Sequence, residues 1–181
     1  MNKKIYILAL FVIFAAQLFV PAQMIFQQED ALDNGTAYKF KTEPVDPTDP
    51  FRGKYIVLSY DLNSFQTKED VWDDYFGDIF IYFKTDAEGY AAIKAVSKQP
   101  LDIPNDYIIT NSKYSHGSTV KFNLPFDRFY LNENKAYDAE ISVREAQIDS
   151  TKICYGLVYI KDGTAVLDNV FIDEMPVKLF V

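Results

Sequence analysis

The chain reads as a mainly β, α+β protein: an antiparallel barrel or sandwich of short strands with one packed helix, preceded by an N-terminal transmembrane helix. Three observations carry this. Short runs rich in β-branched and aromatic residues recur at near-regular spacing with turn signals between them. An Asp162-Gly163 pair sits between two such runs, the pattern of a two-residue hairpin. A single long apolar stretch follows Lys3-Lys4 at the start of the chain.

In a chain of 181 residues there is room for one domain and a targeting segment. Residues 1–26 are assigned to the apolar segment and 27–181 to a single β-rich domain. Two readings of the segment compete. Val20-Pro21-Ala22 has acceptable spacing for cleavage of a secretory signal. The apolar character nevertheless continues through Met24-Ile25-Phe26, giving about the 20 residues that a membrane span needs. The uncleaved anchor is favoured, with the basic end inside and the body outside the cytoplasmic membrane, in the periplasm if there are two membranes.

Beyond Lys3 and Lys4 the chain carries 26 acidic and 16 basic side chains, a balance of −10. Such a body repels phosphate backbones, which argues against a nucleic-acid partner. Cys154 is the only cysteine, so no intrachain disulfide forms, and its apolar neighbours suit a buried thiol. His116 is the only histidine and lies in Ser115-His116-Gly117-Ser118, a turn composition. With one His and one Cys in unrelated contexts, no nucleophile–base pair is visible. No enzyme, cofactor or metal is expected.

Along the exported part, residues 37–41 alternate apolar and polar as a half-buried strand does. Residues 44–50 hold three prolines and form a rigid turn. Asp46 and Asp49 within it suit a structural turn, or two oxygens of a cation site. Residues 55–60 are the next strand, and 61–77 a polar loop or short helix carrying Trp72, Tyr75 and Phe76. Strands follow at 78–84 and 90–96, joined by Asp86-Ala87-Glu88-Gly89. Two more are expected at 107–110 and 119–124, separated by a polar connection over 111–118, with a short one near 126–131. Residues 132–147 form the one expected helix, with Ala136, Ala139, Val143 and Ala146 at helical spacing and Asn132 as cap. The final pair, 153–161 and 164–172, flanks Asp162-Gly163 as a type I′ hairpin.

The candidate binding residues cluster in Arg52-Gly53-Lys54-Tyr55-Ile56-Val57-Leu58-Ser59-Tyr60. Gly53 permits a tight backbone entry into the strand. Leu58 and Tyr60 share a face, and Tyr55 lies on the other, so one tyrosine belongs to the core and one to the surface. Arg52, with its planar fork of donors, suits a carboxylate, either on a partner or within the domain at Asp46 or Glu133. Gly53-Lys54-Tyr55-Ile56-Val57-Leu58-Ser59-Tyr60 resembles the signature of the bacterial GDYXXLXY family of membrane-anchored proteins. Pro44-Val45-Asp46-Pro47 and Arg128-Phe129-Tyr130-Leu131-Asn132-Glu133 are similar to further segments of it. Lys54 stands where the family name has Asp, which favours a structural role for the motif. The resemblance implies an anchored accessory protein that binds another membrane protein, one that crosses the membrane several times. The alternative is a small-ligand-binding β-domain whose aromatic interior forms an apolar pocket.

Overall fold

A computed structural model describes residues 3–43, 55–67, 72–131, 139, 141–143, 145–147, 149 and 151–179. Helix α1 (Lys3–Asn34) is followed after one residue by strand β1 (Thr36–Glu43). Then come β2 (Tyr55–Val57), β3 (Ser59–Tyr60), β4 (Ser64–Gln66), β5 (Asp78–Thr85), β6 (Ala91–Ser97), β7 (Tyr107–His116), β8 (Thr119–Phe122) and β9 (Arg128–Tyr130). A short helix includes residues 139, 141–143 and 145–147. Strands β10 (Cys154–Lys161), β11 (Thr164–Ile172) and β12 (Met175–Pro176) precede a 3-10 turn, Val177–Leu179.

Two five-stranded antiparallel sheets, ordered β12-β11-β10-β1-β3 and β4-β8-β7-β5-β6, face each other, with a two-stranded β2-β9 ribbon beside them. A parallel bridge from Ile108 to Gly163 ties β7 to the β10–β11 turn, and β6 approaches β1, so the sheets nearly close as a barrel. The fold class expected from the sequence is the one observed.

The hairpin at Asp162-Gly163 forms as the dipeptide requires, with φ of 47° and 85° at its two central residues and Lys161 paired with Thr164. Between β5 and β6, the Asp86 carboxylate accepts from the Glu88 and Tyr90 amides, an Asx-type turn that ends at Gly89.

One sequence expectation is corrected. Residues 111–116 are not a polar connection; β7 continues through them to His116, and only Gly117-Ser118 turns. The reason lies in the adjacent loop. Ser112 and Ser115 are buried, and the Ser112 hydroxyl donates to the Tyr75 carbonyl at 2.7 Å. Ser112 N–H bonds the Gly77 carbonyl as well. Small hydroxyl side chains take the inward positions because the backbone of 75–77 needs partners there. The loop also contains a short strand, β4, paired with β8.

The core is aromatic. Phe40 is fully buried, with ring centroids of Phe126 at 4.9 Å, Phe83 at 5.2 Å and Tyr60 at 5.8 Å, all edge-on. Such contacts add roughly 0.5–1.5 kcal/mol per pair beyond area burial. Ala139, Val143 and Ala146 of the short helix are buried against it at helical spacing, as expected. Asn132, Glu133 and Ala136 lie outside the described residues.

Helix α1 is long and apolar enough over Ala9–Asn34 to cross a membrane. Its last turn docks on the β10–β11 hairpin. Ala31 is fully buried, Asp30 bonds the Lys161 ammonium at 2.7 Å, and the Gly35 amide donates to the Ala31 carbonyl at 2.9 Å. At Gly35 a Cβ would overlap the Ala31 carbonyl oxygen and lie 3.0 Å from that of Ile160. Glycine is therefore required where helix meets sheet.

Candidate functional site: the outer face of the β2–β9 ribbon

Residues 55–60 do not run as one strand along one partner. Tyr55–Val57 pair with β9, the Leu58 amide donates to the Asp127 carbonyl at 2.8 Å, and Ser59–Tyr60 pair with the end of β1. The segment thus joins the ribbon to the main sheet. Its inward side chains are Ile56, Leu58 and Tyr60, all buried, in step with the period of two.

Tyr60 is the core tyrosine. Its hydroxyl donates to the Phe126 carbonyl at 2.9 Å, and burial pushes its pKa well above the usual phenol range. Gly156 makes room for it: a Cβ there would lie 3.1 Å from the Tyr60 hydroxyl and 3.0 Å from Leu167 Cδ1.

Tyr55 is the outer tyrosine and is half-buried. Across the ribbon it faces Tyr130, and Val57 faces Arg128, while Ile56 and Phe129 pair on the buried side. The outer face therefore gathers Tyr55, Val57, Arg128 and Tyr130. The two tyrosine rings are 5.4 Å apart, and the Arg128 guanidinium lies 5.3 Å from the Tyr55 ring centre. Arg128 also approaches Asp127 at 3.9 Å. A hydrogen bond to Tyr130, together with Tyr55 and Asp127, holds the guanidinium proton more firmly than usual. Tyr130 is 64% exposed and Val57 41%.

This arrangement sets two aromatic rings beside a cation that lies over one of them, a composition typical of interface anchors. Among the described residues no three His, Cys, Asp or Glu side chains converge as a metal site. His116 is exposed at the end of β7, stacked on Tyr114 and 3.7 Å from Asp73. Cys154 is buried in β10, and burial raises its thiol pKa to about 11.

Of the sequence-predicted site residues, Tyr55, Leu58 and Tyr60 are placed, with Leu58 and Tyr60 turned inward. Asp46, Asp49, Arg52, Gly53, Lys54 and Glu133 lie outside the described residues. Arg128 and Tyr130 were not among the candidates. Their segment was singled out in the sequence, but the pairing that sets them beside Tyr55 spans more than seventy residues and leaves no local signal.

No curated protein matches the chain, and no solved structure does. The family model described as GDYXXLXY protein matches residues 17–170. That match runs from within α1 through the ribbon and both sheets into β11, and the chain belongs to the GDYXXLXY family.

Proposed function

We propose that this protein is an accessory, partner-binding protein of the cell envelope, held to the cytoplasmic membrane by α1 with its body on the outer side. Its partner is another membrane protein, one that crosses the bilayer several times. The observation that carries this is the outer face of the ribbon, where Tyr55, Val57, Arg128 and Tyr130 present an aromatic and cationic patch built by the family's own motif strand. The reading also rests on the length and exposure of α1 and on Lys3-Lys4 at its start, which favours the inside for that end. The ring-on-ring packing around Phe40 supports a filled core over a ligand pocket.

The test is co-purification from gently solubilised native membranes. Arg128→Ala and Tyr130→Ala are expected to reduce partner recovery about tenfold or more, the loss usual for interface anchors. Both should leave unfolding within about 0.5 kcal/mol, as for ordinary surface changes. Phe76→Ala, which removes an equally exposed ring elsewhere, is the control and should recover partner normally. Unchanged recovery with both ribbon variants would refute this surface as the contact.

A further inference from the structure

A groove of about 470 Å³ runs along one face of α1, lined by Phe19, Ala22, Gln23, Phe26, Gln27 and Asp30. Its two ends differ in chemistry. Towards the start of the helix, Ala22 lies between the exposed rings of Phe19 and Phe26, which leaves a slot with apolar walls. At the other end the Asp30 carboxylate accepts from the Lys161 ammonium at 2.7 Å, so the groove stops where the β10–β11 hairpin of the body meets the helix. Between the two stand the exposed carboxamides of Gln23 and Gln27, about 6 Å apart along the axis.

The anchoring proposed above sets the depth of each part. Phe26 is the last apolar residue before Gln27-Gln28-Glu29-Asp30 and marks the edge of the hydrocarbon. Asp30 is about 6 Å further along the helix, within a headgroup layer roughly 5–8 Å thick on each side. Phe19 and Ala22 lie among acyl chains. We propose that this groove holds one zwitterionic phospholipid whose headgroup carries a primary ammonium. An acyl chain fills the slot between Phe19 and Phe26. The Gln23 and Gln27 amides and the Lys161 ammonium donate to the ester and phosphate oxygens, and the headgroup ammonium donates to Asp30. Charge selects the headgroup: the Lys161 ammonium is outnumbered by the carboxylates of Asp30, of Glu29 next to it and of Asp162 next to Lys161, so an anionic headgroup meets net repulsion. Shape selects lipid over protein. Helices that pack in a membrane approach on several small residues, whereas this face offers Ala22 alone among bulky neighbours. A single flexible chain fits such a slot where a helix does not.

The proposal rests on the anchoring read above but not on the partner, and the experiment keeps their failures apart. The purified full-length chain is placed in phosphatidylcholine nanodiscs containing a small, equal share of either phosphatidylethanolamine or phosphatidylglycerol with a photoreactive acyl chain. Irradiation is expected to label the peptide spanning Ala22 and Phe26 about fivefold more with the ethanolamine lipid than with the glycerol lipid. Gln23→Leu combined with Gln27→Leu removes both carboxamides and should bring the two lipids level, while the body keeps its melting temperature. Equal labelling of the unaltered chain would overturn the proposal, since it would show ordinary surrounding lipid only, and so would an undiminished preference in the variant. In native membranes, a photoreactive aromatic residue replacing Phe26 should capture lipid, and a protein adduct there would overturn the proposal while leaving the anchoring intact. A chain found soluble in its own cells, starting near Gln23, would overturn the anchoring and this site with it.

Discussion

At the scale of single residues, the motif's second tyrosine is a buried structural group. Tyr60→Phe leaves the Phe126 carbonyl without its donor and is expected to cost about 1–2 kcal/mol in denaturant unfolding. Gly156→Ala crowds the same hydroxyl and should cost a similar amount. Because both act on one oxygen, the two changes together should cost less than their sum, and strict additivity would show that Gly156 is not there for Tyr60. Glu174 gives a pH dependence. Hydrogen bonds from Lys39 and from the Tyr155 hydroxyl hold its pKa below the ordinary 4.5. A carboxyl depressed in the folded state contributes stability that is complete above its unfolded pKa and is lost as pH falls through the folded one. Thermal stability should therefore decline below about pH 4.5, and Glu174→Gln should flatten part of that decline. The contribution is modest and salt-sensitive, since Glu174 is largely exposed. A pH profile unchanged by Glu174→Gln would contradict this. The buried Cys154 thiol, with its pKa raised to about 11, should resist alkylation at pH 8 until the domain is unfolded.

At the scale of elements, what was legible in the sequence was local. Asp162-Gly163 specified its hairpin because positive φ at two successive residues is a demand that few dipeptides meet. The alternation in residues 55–60 put Leu58 and Tyr60 on one face and Tyr55 on the other, because period two is a property of the strand itself; which face is inward, that of Tyr60, came only with the pairing of the strands. What was not legible depended on distant chain. The serines at 112 and 115 looked like loop residues because their partner, the backbone around Tyr75, comes from another part of the chain. Arg128 and Tyr130 became candidates only once β2 was seen to pair with β9. The helix–sheet junction is likewise a tertiary fact: Asn34-Gly35-Thr36 has the form of a glycosylation sequon, yet Gly35 is there because two backbone carbonyls crowd it. Gly35→Ala is expected to destabilise the junction by about 2–3 kcal/mol, read as earlier proteolysis between α1 and β1 and a lowered melting temperature. Wild-type behaviour in both would show the approach to be looser than the geometry implies.

At the scale of the whole molecule, α1 is not a tether on a flexible linker. It enters β1 through a single glycine and is clamped by Ala31 and by the Asp30–Lys161 pair, so the body holds a defined attitude to the helix. A nearly closed barrel with an aromatic core supplies the stiffness, and the ribbon presents the surface proposed above for the partner. All of this depends on the chain remaining attached with its body outside. The direct measurement is made on full-length protein in spheroplasts, with a membrane-impermeant amine reagent, alkaline carbonate extraction and sequencing of the N-terminus. The expected result is a chain that stays in the carbonate-washed membrane pellet, begins at or next to Met1, and takes label on its body lysines from outside. A soluble chain starting near Gln23, or a body labelled only after the membrane is broken, would contradict it.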